Sequence, residues 1–205
     1  MKNMKTILKI KRDKPYTSTS PVWQNSLTVQ NHQINCIFEA HNDNKMTKKY
    51  NWAILGCGKI AKKFALELQA LPNANLYAAA SRNLENATNF TSEFGFEKAY
   101  GSYEEMVSDP NVDIVYIATP HSHHLKHSLL CLNNKKAVLC EKAFAINSKE
   151  VAQMIAASKE NNTFLMEAFW VRFRPKFKTV LELLKNKDLG KLKMVKSDFN
   201  FLGEY

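Results

Sequence analysis

The sequence predicts an α/β protein: a doubly wound, Rossmann-like parallel sheet, followed by the first strand of a truncated α+β C-terminal domain. Three observations carry this. From Asn51 onward, short apolar runs alternate with stretches of helical spacing. The segment Gly56-Cys57-Gly58-Lys59-Ile60-Ala61 joins the first such run to the first such stretch. The final run, Leu192 to Phe201, alternates in character and breaks the rhythm. Continuous apolar strands between amphipathic helices imply a parallel sheet covered on both faces.

The elements follow in order. Asn51 to Leu55 is a short apolar strand. Ile60, Phe64, Leu68 and Leu71 recur at helical spacing and mark one buried face. Leu76 to Ala80 is a second strand. Leu84 to Phe94 is a helix ending near Gly95, and Lys98 to Tyr100 a brief strand. Ser102 and Glu105 form a capping box that opens a short helix. Asp113 to Ala118 is a fully apolar strand, followed by a helix from Ser122 to Asn133. Lys136 to Cys140 is the next strand, and Asn147 with Glu150 caps a helix running to Lys159. Thr163 to Met166 is a strand and Lys176 to Leu184 a helix. Val195, Phe199 and Phe201 share one face of the last, antiparallel strand.

Composition bounds the rest. The chain has 205 residues, 45% hydrophobic and 23% charged, which suits a globular protein and excludes wholesale disorder. No apolar run reaches the roughly 18 residues of a membrane span. All six glycines fall between Gly56 and Gly203. Residues 1–45 are therefore expected to lie outside the fold, as a disordered extension or translation from a start upstream of Met46. Within them, only Ile34, Cys36 and Phe38 alternate enough for a strand. The dinucleotide-binding domain is expected at 46–168, with a linker helix and the stub of a second domain at 169–205.

Lys and Arg number 29 against 19 Asp and Glu, a net charge of +10. The lysines are scattered and no basic run is interleaved with aromatics, so a solvated surface is expected rather than a nucleic-acid partner. Cys36, Cys57, Cys131 and Cys140 form no C-x-x-C pair and no zinc spacing. That pattern fits a reducing cytoplasm. The basic N-terminus is interrupted by Lys9 and Lys11 and makes no export signal.

Four constellations carry chemistry. In Gly56-x-Gly58-x-x-Ala61, Gly56 permits a tight turn and Gly58 admits a pyrophosphate to the backbone. Ala61 lets helix and sheet approach. The free amides of the helix N-terminus then face the phosphates, which makes Gly56, Cys57, Gly58, Lys59 and Ile60 cofactor-binding candidates. Ser81 and Arg82 end the second strand, where an NAD site carries an acidic residue for the ribose 2′-hydroxyl. A hydroxyl and a guanidinium suit a 2′-phosphate instead, so NADP is expected rather than NAD.

The third is Thr119-Pro120-His121-Ser122-His123-His124, with His127 beyond. It follows a buried strand, where ligands sit in open α/β sheets, and is expected to pack against the cofactor. His123 and His127 are one helical turn apart, but no nearby carboxylate or thiolate completes a metal site. The fourth is Cys140-Glu141-Lys142-Ala143. A lysine beside a bound nicotinamide can act as general acid and base, its pKa lowered by the cationic ring and partial burial.

Together these motifs, with Gly101-Ser102-Tyr103-Glu104-Glu105 and Met166-Glu167-Ala168-Phe169-Trp170-Val171-Arg172-Phe173, resemble the Gfo/Idh/MocA family of NAD(P)-dependent oxidoreductases. The last block is most similar to its dimeric dihydrodiol and xylose dehydrogenase branch. The resemblance implies hydride transfer between a nicotinamide and a secondary alcohol of a sugar or diol. It implies that Lys142 binds substrate and transfers the proton, with Glu141 beside the cofactor and His124 near its nicotinamide half. Trp170 and Arg172 would line the cofactor cleft, and a full-length member would be a homodimer.

Two departures from the family stand out. Its proline after the lysine, typically in a cis bond, is Ala143 here. Either the bond is cis and Lys142 keeps its place, or it is trans and Lys142 is displaced. The family's second domain also extends far beyond the point where this sequence stops. The expectation is therefore a dinucleotide binder of impaired turnover. The alternative is a non-catalytic interaction protein that recruits a partner through an exposed last strand with no sheet to join.

Overall fold

A computed structural model describes residues 7–10 and 48–198. The elements run β1 (Ile7–Ile10), β2 (Tyr50–Leu55), α1 (Lys59–Gln69), β3 (Ala74–Ala80), α2 (Leu84–Phe94), β4 (Lys98–Tyr100), α3 (Tyr103–Ser108) and β5 (Ile114–Ile117). A 3₁₀ turn, His121–His123, leads into α4 (His124–Asn133). Then come β6 (Ala137–Cys140), α5 (Ser148–Glu160), β7 (Leu165–Glu167), a second 3₁₀ turn (Trp170–Phe173), α6 (Pro175–Lys185) and β8 (Val195–Asp198). They fall into two compact units. Residues 48–171 form one, and 7–10 with 172–198 form the other.

The larger unit is a six-stranded sheet in the order β4-β3-β2-β5-β6-β7, and every neighbouring pair is parallel. Alternate residues of each strand feed two cores. Ala53, Leu55, Val115, Ile117, Val138 and Cys140 face α3, α4 and α5, which contribute Met106, Leu132 and Met154. Trp52, Ile54, Ala79, Tyr116 and Leu139 face α1 and α2, which contribute Ala65, Leu68, Phe90 and Phe94. The buried strands read as continuous apolar runs because both faces are covered. Chain order reverses between β2 and β5, which opens a crevice at the carboxyl ends of these strands.

Side-chain caps open three of the six α-helices among the described residues. Asn83 and Asn147 accept from the backbone N–H groups of Asn86 and Glu150. Gly95 ends α2 in the left-handed region, φ 76°, donating to Thr91 O at 2.8 Å. The capping box at α3 is half formed. Ser102 Oγ accepts from Glu105 N at 3.3 Å, but its hydroxyl donates to Glu104 Oε2 at 3.0 Å, the nearer carboxylate. On α1 the buried face is Ala61, Ala65 and Leu68, and Ile60 is 42% exposed. Small alanines let the helix lie close to the sheet.

In the smaller unit, β8 pairs antiparallel with β1, Ile7 opposite Asp198 and Ile10 opposite Val195. Two expectations are corrected here. The last strand has a partner, and the leading segment contributes one to the fold. Strand pairing across so long a sequence separation leaves no local signature. The Ile34–Phe38 alternation, Phe199 and Phe201 lie outside the described residues. Among the described residues, no helix is long and apolar enough to cross a membrane.

Candidate functional site

The loops after β2, β3, β5 and β6 meet at one end of the sheet, and backbone bonds fix their heights. Gly56 N donates to Ala80 O at 2.9 Å, Ala118 N to Leu55 O at 2.9 Å, and Glu141 N to Ile117 O at 3.0 Å. A cleft of about 460 Å³ opens there, lined by Gly56, Cys57, Gly58, Ser81, Arg82, Thr119 and Pro120 among others.

Gly56 has φ 98°, and a Cβ on it would sit 2.9 Å from Thr119 Cγ2. The turn therefore demands glycine for both dihedral and space. Gly58 is different. A Cβ there would meet nothing within 4 Å, so the protein's own packing does not require a glycine. Gly58 is also the N-cap of α1 and offers no side-chain cap. The N-terminal amides of α1 are thus open at the cleft, with the positive end of the helix dipole behind them. An uncapped helix start behind a glycine cradle fits a pyrophosphate.

Arg82 is exposed and Ser81 half-buried where the chain leaves β3. Cys57 Sγ turns inward to Ala80 O at 3.5 Å, and burial pushes its thiol up to about 11. It is an inert wall residue rather than a nucleophile. Tyr103, absent from the sequence-predicted set, also lines the cleft. Burial raises its phenol pKa, and the charge of Arg82 opposes that shift.

The histidines divide into two pairs. His121 and His123 are exposed. His124 is fully buried, its Nδ1 2.8 Å from Ala143 O and its Nε2 2.8 Å from Thr119 O. Through these two contacts it ties the loop after β5 to the loop after β6. His127 is 4% exposed and bonds Thr119 Oγ1 through Nδ1 at 2.9 Å. Burial lowers its pKa to about 4, so it is a neutral prop at physiological pH. Among the described residues, no group of three or more metal-ligating side chains converges.

At the end of β6, Glu141 is held by two donors. Tyr116 Oη donates to Oε1 at 2.5 Å and Lys142 N to Oε2 at 2.9 Å. Burial first, then the charge of Glu141, drives the Tyr116 phenol well above its ordinary range. The Lys142–Ala143 peptide bond is cis. The Lys142 side chain is exposed, where partial burial was expected.

Lys59, Ile60, His121, Glu141, Lys142 and Trp170 do not line the cleft itself, and Arg172 falls in the other unit. The cleft adds Lys62, Asn86, Asn89, Phe90, Glu93 and Ala118. Most of these lie on the facing surfaces of α1 and α2, which no motif marks.

The oxidoreductase family model with an NAD-binding Rossmann fold, GFO_IDH_MocA, matches residues 50–169. The chain belongs to this family. Trans-1,2-dihydrobenzene-1,2-diol dehydrogenase of Danio rerio is 45% identical over 150 residues, covering 72% of this chain and 45% of that protein. The Mus musculus protein of the same name is 43% identical over 152 residues, covering 73% and 46%. The chain thus spans about half the length of the curated relatives it matches. A 3-ketoreductase from Actinomadura kijaniata, in complex with TDP-benzene and NADP in an open conformation, aligns with a TM-score of 0.64 at 27% identity. That alignment covers 68% of this chain and 44% of the reductase. The resemblance read from the motifs and the parallel sheet agree with this placement.

Proposed function

We propose that this family member binds NADP(H) in the cleft and serves oxidation or reduction at a secondary alcohol of a sugar or diol. The observation that carries the cofactor reading is Arg82, a guanidinium lining the cleft at the end of β3, with Ser81 beside it. No carboxylate stands at that strand end to hold a free ribose diol, and a guanidinium pairs with a phosphate in bidentate fashion. The likeness to a reductase solved with NADP supports the same choice.

The residues that would hold the dinucleotide are Gly56, Gly58 and the open amides of α1 for the pyrophosphate, and Ser81 and Arg82 for the 2′-phosphate. Bound there, it supplies the hydride acceptor or donor. Thr119 and Pro120 wall the cleft on the β5 side. Lys142 holds and passes the substrate's hydroxyl proton at Nζ. Glu141, anchored by Tyr116, fixes the start of that loop, and His124 fixes its continuation at Ala143. The names of the diol dehydrogenase relatives support a diol as substrate.

The alternative of a partner-recruiting protein rested on an unpaired last strand, and β8 is paired. The test is Arg82→Ala, read as dissociation constants for NADPH and NADH. Selective weakening of NADPH, about tenfold or more for loss of one charged hydrogen-bonding group, supports the assignment. Parallel weakening of both cofactors contradicts it.

A further inference from the structure

The cleft continues past Arg82 onto the facing surfaces of α1 and α2, through Lys62 and Glu93. There the two helices are joined by an ion pair. Lys62 Nζ lies 2.5 Å from Glu93 Oε2, and the side chains are 49% and 51% exposed. The Lys62 backbone donates to Gly58 O at 3.2 Å, so it stands on the first helical turn, directly after the glycine cradle. Arg82 lies two residues before α2, whose Asn86 and Asn89 line the cleft short of Glu93.

We propose that Lys62 is a second specificity-determining cation for the 2′-phosphate of NADP, and that Glu93 restrains it until that phosphate arrives. The inference rests on the NADP reading above and extends it to a residue pair outside every sequence motif. An exposed ammonium–carboxylate pair is a weak tie, and a lysine stem is long and flexible. A phosphate monoester brings about −1.5 to −2 charges and three acceptor oxygens, against the single charge of Glu93. It therefore draws the ammonium across. NADH carries only a hydroxyl at that position and leaves the pair intact. Glu93 opposes NADPH twice, by holding Lys62 and by placing a like charge near the phosphate. The pair thus acts on one cofactor and is silent toward the other.

The experiment is a fluorescence titration of NADPH and NADH against the full chain and three variants, Lys62→Met, Glu93→Gln and the double variant. Methionine keeps most of the apolar stem, and both positions are half exposed, so matched thermal melts are expected. Lys62→Met weakens NADPH about tenfold, the loss of one charged hydrogen bond, and leaves NADH within about twofold. Glu93→Gln tightens NADPH severalfold, and the gain vanishes in the double variant. Competition by adenosine 2′,5′-bisphosphate follows NADPH, and competition by 5′-ADP follows NADH. An unchanged NADPH constant in Lys62→Met, or an equal shift in NADH, overturns the inference. If Arg82→Ala abolishes the NADPH preference while Lys62→Met retains it, the inference fails and the NADP reading stands. A parent chain with no preference for NADPH overturns both.

Discussion

A methyl group added to Gly56 and one added to Gly58 have different consequences, and the contrast separates folding from binding. At Gly56 it meets Thr119 and Ala118 from a backbone at φ 98°. Gly56→Ala is expected to lower stability by about 1–3 kcal/mol in urea unfolding. At Gly58 it meets open space. Gly58→Ala is expected to stay within about 1 kcal/mol of the parent while losing most dinucleotide affinity. His127 makes a different prediction. Its folded pKa of about 4 lies below the ordinary 6.5, so between those values the unfolded chain binds a proton that the folded chain refuses. Stability therefore rises with pH across this window and falls on acidification through it. Thermal melts from pH 7 to 4 are expected to show that fall, and His127→Gln to flatten it. That Gly56, Gly58, Ser81 and Arg82 share one cleft was legible in the sequence, because all four follow strands of a parallel sheet at the same end. Lys62 and Glu93 were not, since their meaning depends on how two helices face each other. The two contacts that tie His124 to the loops after β5 and β6 were not legible either, because spacing places a histidine near a loop without showing which way its ring turns.

At the scale of elements, one carboxylate joins the end of α3 to β3 and β4. Asp109, just after α3, accepts at Oδ2 from Tyr77 of β3 (2.8 Å), Lys98 of β4 (3.0 Å) and Tyr100 of β4 (2.6 Å). Asn111 N donates to Oδ1 at 2.9 Å. Burial alone would raise the Asp109 pKa, but these donors hold it well below the usual carboxylate range. Asp109→Asn is expected to destabilise the chain by roughly 2–4 kcal/mol, measured by urea unfolding, with little change in cofactor affinity, because neither Asp109 nor its side-chain donors line the cleft. The strands and helices of the larger unit were legible from periodicity, since burial on both faces writes itself into continuous apolar runs. The buried face of α1 was misread at Ile60 because the contact with the sheet is made by Ala61 and Ala65, whose small side chains give a weak periodic signal.

At the scale of the whole molecule, every residue that lines the cleft belongs to the larger unit. The β1–β8 pairing joins residues near opposite ends of the sequence, a contact that composition and periodicity do not reveal. Lys142→Met is expected to abolish any turnover while leaving NADPH affinity within about twofold, since its exposed side chain stands outside the cleft. The most direct test of the central claim is titration of the parent chain with NADPH and with NADH, read as cofactor fluorescence. Saturable binding of both is expected, with NADPH the tighter. Saturation by neither, or tighter binding of NADH, would contradict it.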